Sequence, residues 1–188
     1  MLASGALFDL LDPEGSDFTL YDIAHGLGRV CRFAGQTNRF YTVAEHCVHV
    51  SRLVGVEDAT LARAALLHDG AEAFIGDVTR PLKALLPDYK AVEARVELAI
   101  ANRFLDGRID LFAHPLIKTF DTAMCLIEAR NLMPSAPGYW SALRVPADAW
   151  EKATEVKLHY DKPEYATALW LRHWNRLGHA IEDTRAAA

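Results

Sequence analysis

Three ionisable side chains, His68, Asp69 and Glu72, fall within two helical turns of an apolar run in the stretch ALLHDGAEAFIGDVTRPLK. Charged groups surrounded by hydrocarbon cost several kcal/mol each unless a group of opposite charge sits with them, so this stretch requires a partner. On a helix, neighbouring residues point about 100° apart and Glu72 follows four and three positions later, so all three can lean toward one inward point. A cation fits there. A His-Asp dipeptide is common by chance, and its meaning has to come from the rest of the chain.

Two further polar residues sit in similar surroundings. His46 lies in TVAEHCVHV among Val43, Cys47 and Val50, and Asp121 lies in IKTFDTAMCLIEA among Phe120, Ala123, Met124 and Cys125. Taken singly, His46 reads as a satisfied core histidine and Asp121 as a buried acid that is expensive unless paired. One divalent ion bound by His46, His68, Asp69 and Asp121 accounts for all of these anomalies at once. Imidazole and carboxylate donors together suit Mn, Co, Ni, Fe or Zn, and differ from the thiolate-rich set of a structural zinc site. Four such ligands on an octahedral ion leave room for water or substrate oxygens. His49 reads as a core or supporting residue, and His114, just before Pro115, as a helix-start residue.

Read together, His46, His68-Asp69 and Asp121 resemble the H…HD…D signature of HD-domain metal-dependent phosphohydrolases. The segments CRFAGQTNRFYTVAEH, LLHDGAEAFIGDVTRPLK and IKTFD are similar to the short branch that contains bacterial deoxynucleoside 5'-monophosphatases and phage dATP triphosphohydrolases. The resemblance covers roughly residues 8 to 130, and the C-terminal third carries no motif. It implies an HD-type helical fold and hydrolysis of a phosphoester or phosphoanhydride bond in a (deoxy)nucleotide. It also implies one divalent transition metal ion on His46, His68, Asp69 and Asp121, with Mg able to enter alongside the substrate phosphates. Glu72 and Asp77 match acidic positions that handle the attacking water or the leaving group, and Arg32 matches an arginine that contacts phosphate. Phe33 stands where the monophosphatases have a tryptophan, which leaves base and sugar preference open. Family members assemble as dimers or larger closed rings, so a homo-oligomer is expected. Monophosphate and triphosphate substrates both remain open. The alternatives are a non-catalytic nucleotide-sensing module and a di-iron oxygenase on the same scaffold, for which His49 and His114 are the candidate extra ligands.

The residues suit that reaction. Phosphoryl transfer to water needs a nucleophile at neutral pH and positive charge on the non-bridging oxygens, and a divalent ion supplies much of both. Glu72, one turn beyond the ligands, can accept the water's proton. Basic groups must face the same cavity as the acids. Lys118 lies three residues before Asp121 on one side of a helix, Lys83 follows Asp77 through a Pro-containing turn, and Arg32 and Arg39 bracket FAGQTN, a loop suited to closing over substrate.

The elements that must position these groups are helical nearly throughout. Apolar spacing predicts helices from Leu20 to Cys31, from Thr42 to Gly55 with Thr42 and Glu45 in capping-box spacing, and over 58–73. A shorter element lies between Pro81 and Pro87, and further helices are expected over 88–105, 114–133, 147–159 and 163–178. Pro134, Pro137 and Gly138 open an aromatic-bearing loop that could face a neighbour or cover a substrate, although Tyr139 and Trp140 read as packing residues. With no alternating strand pair, the expected fold is an all-α single domain over residues 1–188, a bundle of about six or seven helices whose C-terminal helices complete it.

Composition sets the outer bounds. A chain of 188 residues can bury roughly 70% of its unfolded surface without a structural metal or disulfide. The formal net charge of −5 with interspersed signs gives no field for a nucleic-acid polymer, and the expected partner is a small-molecule nucleotide. Cys31, Cys47 and Cys125, odd in number and set in apolar stretches, read as reduced thiols. The N-terminal stretch lacks a secretory pattern and no apolar run approaches the roughly 20 residues of a membrane span, so a cytoplasmic protein is expected.

Overall fold

The helix that carries His46 has no solvent face along most of its length, since every residue from Val43 to Ser51 is buried. A helix enclosed on all sides belongs at the centre of its fold. In chain order the helices are α1 (Leu20–Leu27), α2 (Val43–Val54), α3 (Ala59–Leu67), α4 (Glu72–Ile75), α5 (Arg80–Lys83), α6 (Pro87–Phe104), α7 (Pro115–Leu132), α8 (Ala147–Thr154) and α9 (Pro163–Ala186). The computed structural model describes residues 1–55, 58–134, 140 and 143–186, the stretch 179–186 by its backbone alone. Among the described residues there is no strand, only an isolated antiparallel bridge between Cys31 and Thr42. The fold is all-α, as its periodicity predicts.

Helix α2 packs against α3, α7 and α9, while α1 closes over α9 and α4, and α8 lies on α7. One core follows from this wrapping. It runs from Ile23 and Leu27 through Val43, Val48, Leu66 and Leu67 to Ile100, Ile117, Met124 and Trp170, all essentially inaccessible to solvent. Complete enclosure obliges the polar residues of α2 to find partners inside. Ser51 donates to the Ala62 carbonyl at 2.7 Å and pairs with His173 Nε2 at 2.9 Å. Glu45 accepts from the backbone N–H groups of His159 at 2.6 Å and Asp161 at 3.1 Å.

Glu45 accounts for one departure from the predicted elements. Thr42 does cap α2 by accepting from the Glu45 N–H, but the Glu45 side chain does not return to the cap. It binds the segment after α8 instead, taking N–H groups that a helix would have bonded to carbonyls four residues back. The predicted helix over 147–159 therefore stops at Thr154, and residues 155–162 cross α2 as a strap.

The predicted helix over 58–73 is also interrupted. From Gly70 to Phe74 the backbone bonds run three residues back, as in Gly70 N–H to Leu67 O at 2.7 Å and Glu72 N–H to Asp69 O at 3.0 Å. This tighter turn replaces the α-helical pattern where chemistry-bearing residues crowd together. Gly70 fits because a Cβ at this position would stand 2.8 Å from the Leu67 carbonyl oxygen. Helix α1 ends at Leu27 rather than Cys31, and α9 runs on to Ala186. Short α4 and α5 raise the helix count above the six or seven predicted. Tyr139 lies outside the described residues. No helix among them is long and apolar enough to cross a membrane.

Candidate metal centre

Four side chains from three helical regions converge where α2, the turn after α3 and α7 meet. His46 Nε2 lies 3.6 Å from Asp69 Oδ2 and 3.3 Å from Asp121 Oδ1. His68 Nε2 lies 3.3 Å and 3.9 Å from the same two oxygens. Ligand atoms of His46, His68 and Asp69 all fall within 4.8 Å of one another, close enough to share one ion.

Each imidazole is oriented by its other nitrogen. His46 Nδ1 donates to Glu128 Oε1 and His68 Nδ1 donates to the Ala65 carbonyl, both at 2.7 Å. These bonds aim both Nε2 atoms at the carboxylates, yet both are buried without a hydrogen-bond partner. Buried nitrogens left open beside two carboxylates fit the donor set of a divalent transition metal ion. His46, His68, Asp69 and Asp121 would hold it. His49 points elsewhere, with Nε2 3.4 Å from Glu45 and its ring stacked on His159. His114 caps α7, its Nδ1 accepting from the Leu116 N–H. Neither histidine reaches the cluster.

The cluster opens into a cavity of about 680 Å³, lined by His68, Asp69, Asp121, Glu72 and Asp77 together with Arg32, Arg80, Lys83 and Lys118. Lys83 is tied to Glu93, while Lys118 is exposed at the rim. Phe33 and Trp140 also line the cavity, with ring centroids 5.9 Å apart and edge to face. The guanidinium of Arg32 lies 5.4 Å from the centre of the Phe33 ring. Arg32 therefore separates the carboxylates from the aromatic pair. Arg39 leaves the cavity and covers the Tyr160 ring at 4.9 Å.

The loop carrying Arg32 is bent sharply: Phe33, Ala34 and Gly35 all take positive φ, at 56°, 51° and 74°. Only Gly35 does so without steric cost, and the two strained neighbours turn the loop back over the cavity.

No family model matches the chain. The uncharacterized protein YfdR of Escherichia coli (strain K12) is 39% identical over 162 residues, which cover 86% of this chain and 85% of YfdR. The chain belongs to the YfdR family. The uncharacterized protein RCAP_rcc00048 of Rhodobacter capsulatus is 36% identical over 141 residues, covering 70% of this chain and 71% of that protein.

Charge is strongly polarised within this YfdR-family site. Burial disfavours the imidazolium form of His68, yet the Asp69 carboxylate and its neighbours overcome this and raise its pKa well above the usual range. Burial would raise Asp69 and Asp121 too, but the two histidines hold both carboxylates well below their ordinary values. The cluster thus favours positive charge between its carboxylates, the condition that a cation would meet. Burial, with the charges of Asp69 and Asp77, drives Glu72 well above the normal carboxyl range, and its Oε2 has no hydrogen-bond partner. Burial likewise raises Asp77, against the pull of Arg32.

Two residues of the site escaped the sequence reading. Glu128, wholly buried on α7, accepts from His46 Nδ1, from Arg32 Nε at 2.9 Å and from Tyr41 OH at 3.0 Å. It lies seven residues after Asp121 on the same helical face, and a carboxylate among Leu126, Ile127 and Ala129 was the signal that could have found it. Arg80 donates to Asp121 Oδ2 at 3.0 Å across a loop, a contact with no local sequence signal.

Proposed function

We propose that this protein is an HD-type, metal-dependent phosphohydrolase that cleaves a phosphoester or phosphoanhydride bond of a (deoxy)nucleotide, a triphosphate or a 5'-monophosphate. The observation that carries the reading is the pair of buried, open Nε2 atoms of His46 and His68 facing Asp69 and Asp121 at the floor of a cation-lined cavity. Its size suits a small organic ligand. Guanidinium and ammonium groups beside the carboxylates favour a phosphate, and Phe33 with Trp140 beyond Arg32 offer an apolar surface for a base.

A divalent ion bound by the four ligands would acidify a water and offset charge on the phosphate. The remaining tasks belong to the protein. Arg32, its Nε fixed by Glu128, presents its other nitrogens to a phosphate oxygen, and Lys83 and Lys118 add charge along the cavity wall. Glu72 takes the proton of the attacking water as the new P–O bond forms. Asp77, on the same cavity wall, returns a proton to the leaving oxygen as the old P–O bond breaks.

Phosphate release from a panel of ribo- and deoxynucleotides, with Mn or Co added, tests the reading. Wild-type protein should release inorganic phosphate or polyphosphate and Asp69→Ala should not. Metal and nucleotide binding without turnover under any condition would instead identify a sensing module.

A further inference from the structure

Glu128 touches neither the cavity nor any of the carboxylates, yet it joins two parts of the site that have different tasks. Its side chain is wholly inaccessible to solvent and accepts three hydrogen bonds: from His46 Nδ1 at 2.7 Å, Tyr41 OH at 3.0 Å and Arg32 Nε at 2.9 Å. Tyr41 is itself fully buried, so its hydroxyl has no water to turn to.

We infer that Glu128 is a positioning residue that holds His46 in the Nδ1–H tautomer, leaving Nε2 as the metal-facing atom, and simultaneously fixes the Arg32 guanidinium at the mouth of the metal centre. This rests on the metal-site part of the function proposed above. An ionised carboxylate only accepts, so the nitrogen of His46 that faces Glu128 must carry the proton and the opposite nitrogen is left for a ligand. The same carboxylate engages Arg32 through Nε, which directs the terminal nitrogens onward. Arg32 Nη1 then lies 3.5 Å from Asp69 Oδ2. One buried group therefore sets the direction of a metal-binding atom and of an anion-binding cation, on helix α2 and in the loop before it. A metal-bound histidine with a carboxylate behind it is better oriented and more basic than one facing water.

The test uses full-length Glu128→Gln and Tyr41→Phe beside the wild type, with calorimetric titration of Mn and of inorganic phosphate. Glutamine retains the volume but offers an amide that can donate to Nδ1 and cannot balance Arg32. Glu128→Gln should weaken Mn binding by about tenfold or more and weaken phosphate binding to the Mn-loaded protein. Tyr41→Phe, which removes only the third hydrogen bond, should leave Mn affinity within about threefold. Equal Mn and phosphate affinities for folded Glu128→Gln and wild type would overturn the inference. No Mn binding by the wild type would instead overturn the metal site itself.

Should Glu128→Gln fail to fold, the wild type answers alone. In zinc-loaded protein, nitrogen NMR of the His46 ring should show the proton on Nδ1. A proton on Nε2 would contradict the inference.

Discussion

Arg80 and Asp121 form an ion pair at 3.0 Å in which the carboxylate is divided between two tasks, Oδ2 facing the guanidinium and Oδ1 facing His46 Nε2 at 3.3 Å. A carboxylate held at one oxygen presents the other in a fixed direction. The Arg80 side chain is more than half exposed, so the pair itself should contribute only about 0–1 kcal/mol to folding. Arg80→Ala is expected to melt close to wild type while binding Mn roughly fivefold more weakly, the equivalent of about 1 kcal/mol. Paired thermal melts and Mn titrations separate the two effects. A large fall in melting temperature with unchanged Mn affinity would show that Arg80 is structural.

Glu45 anchors the strap that follows α8. Burial would raise its pKa, but hydrogen bonds from His49, His159 and Asp161 more than compensate and hold it below the ordinary carboxylate value. Glu45→Gln should cost about 2–3 kcal/mol, the scale of losing charge-assisted hydrogen bonds to buried N–H groups. Because the folded pKa is depressed, the stabilisation is complete above the unfolded value near 4.5 and is lost as pH falls through the folded value. Denaturant titrations at several pH values should therefore show the gap between wild type and Glu45→Gln narrowing in acid.

His173 provides a separate pH signature. Burial, with the guanidiniums of Arg176 and Arg52, pushes its imidazole down to about 4, and Arg176 donates to its Nδ1 at 3.0 Å. The unfolded chain binds this proton near pH 6.5, so between that value and about 4 the unfolded state holds more protons. The stability due to neutral His173 is complete above pH 6.5 and declines as pH falls through that window. The melting-temperature difference between wild type and His173→Gln should shrink from pH 7.5 to pH 5. A difference that grows in acid would show that the sign is wrong.

The parts of this molecule legible in the sequence are those where a residue contradicts its surroundings. His46, His68 and Asp121 stand in apolar stretches that have no local use for them, and that mismatch is visible in the sequence itself. Glu128 carries the same mismatch among Leu126, Ile127 and Ala129, but none of the motif segments includes it. Arg80, by contrast, acts through a loop-spanning contact that periodicity cannot express. The helix breaks follow the same division. Thr42 and Gly55 bounded α2 correctly because caps are local, whereas α8 ends early because a carboxylate over a hundred positions away in sequence claims the backbone N–H groups of the strap. The turn at Gly70 interrupts the helix expected over 58–73, because its geometry is set by contacts that apolar spacing does not express.

Anomalous diffraction from crystals soaked in zinc tests the central claim most directly, because it locates an ion without reference to activity. The account predicts one strong peak about 2.0–2.2 Å from His46 Nε2, His68 Nε2 and oxygens of Asp69 and Asp121, lost in the Asp69→Ala crystal. No peak among these four side chains at saturating zinc, or an ion bound only elsewhere, would contradict it.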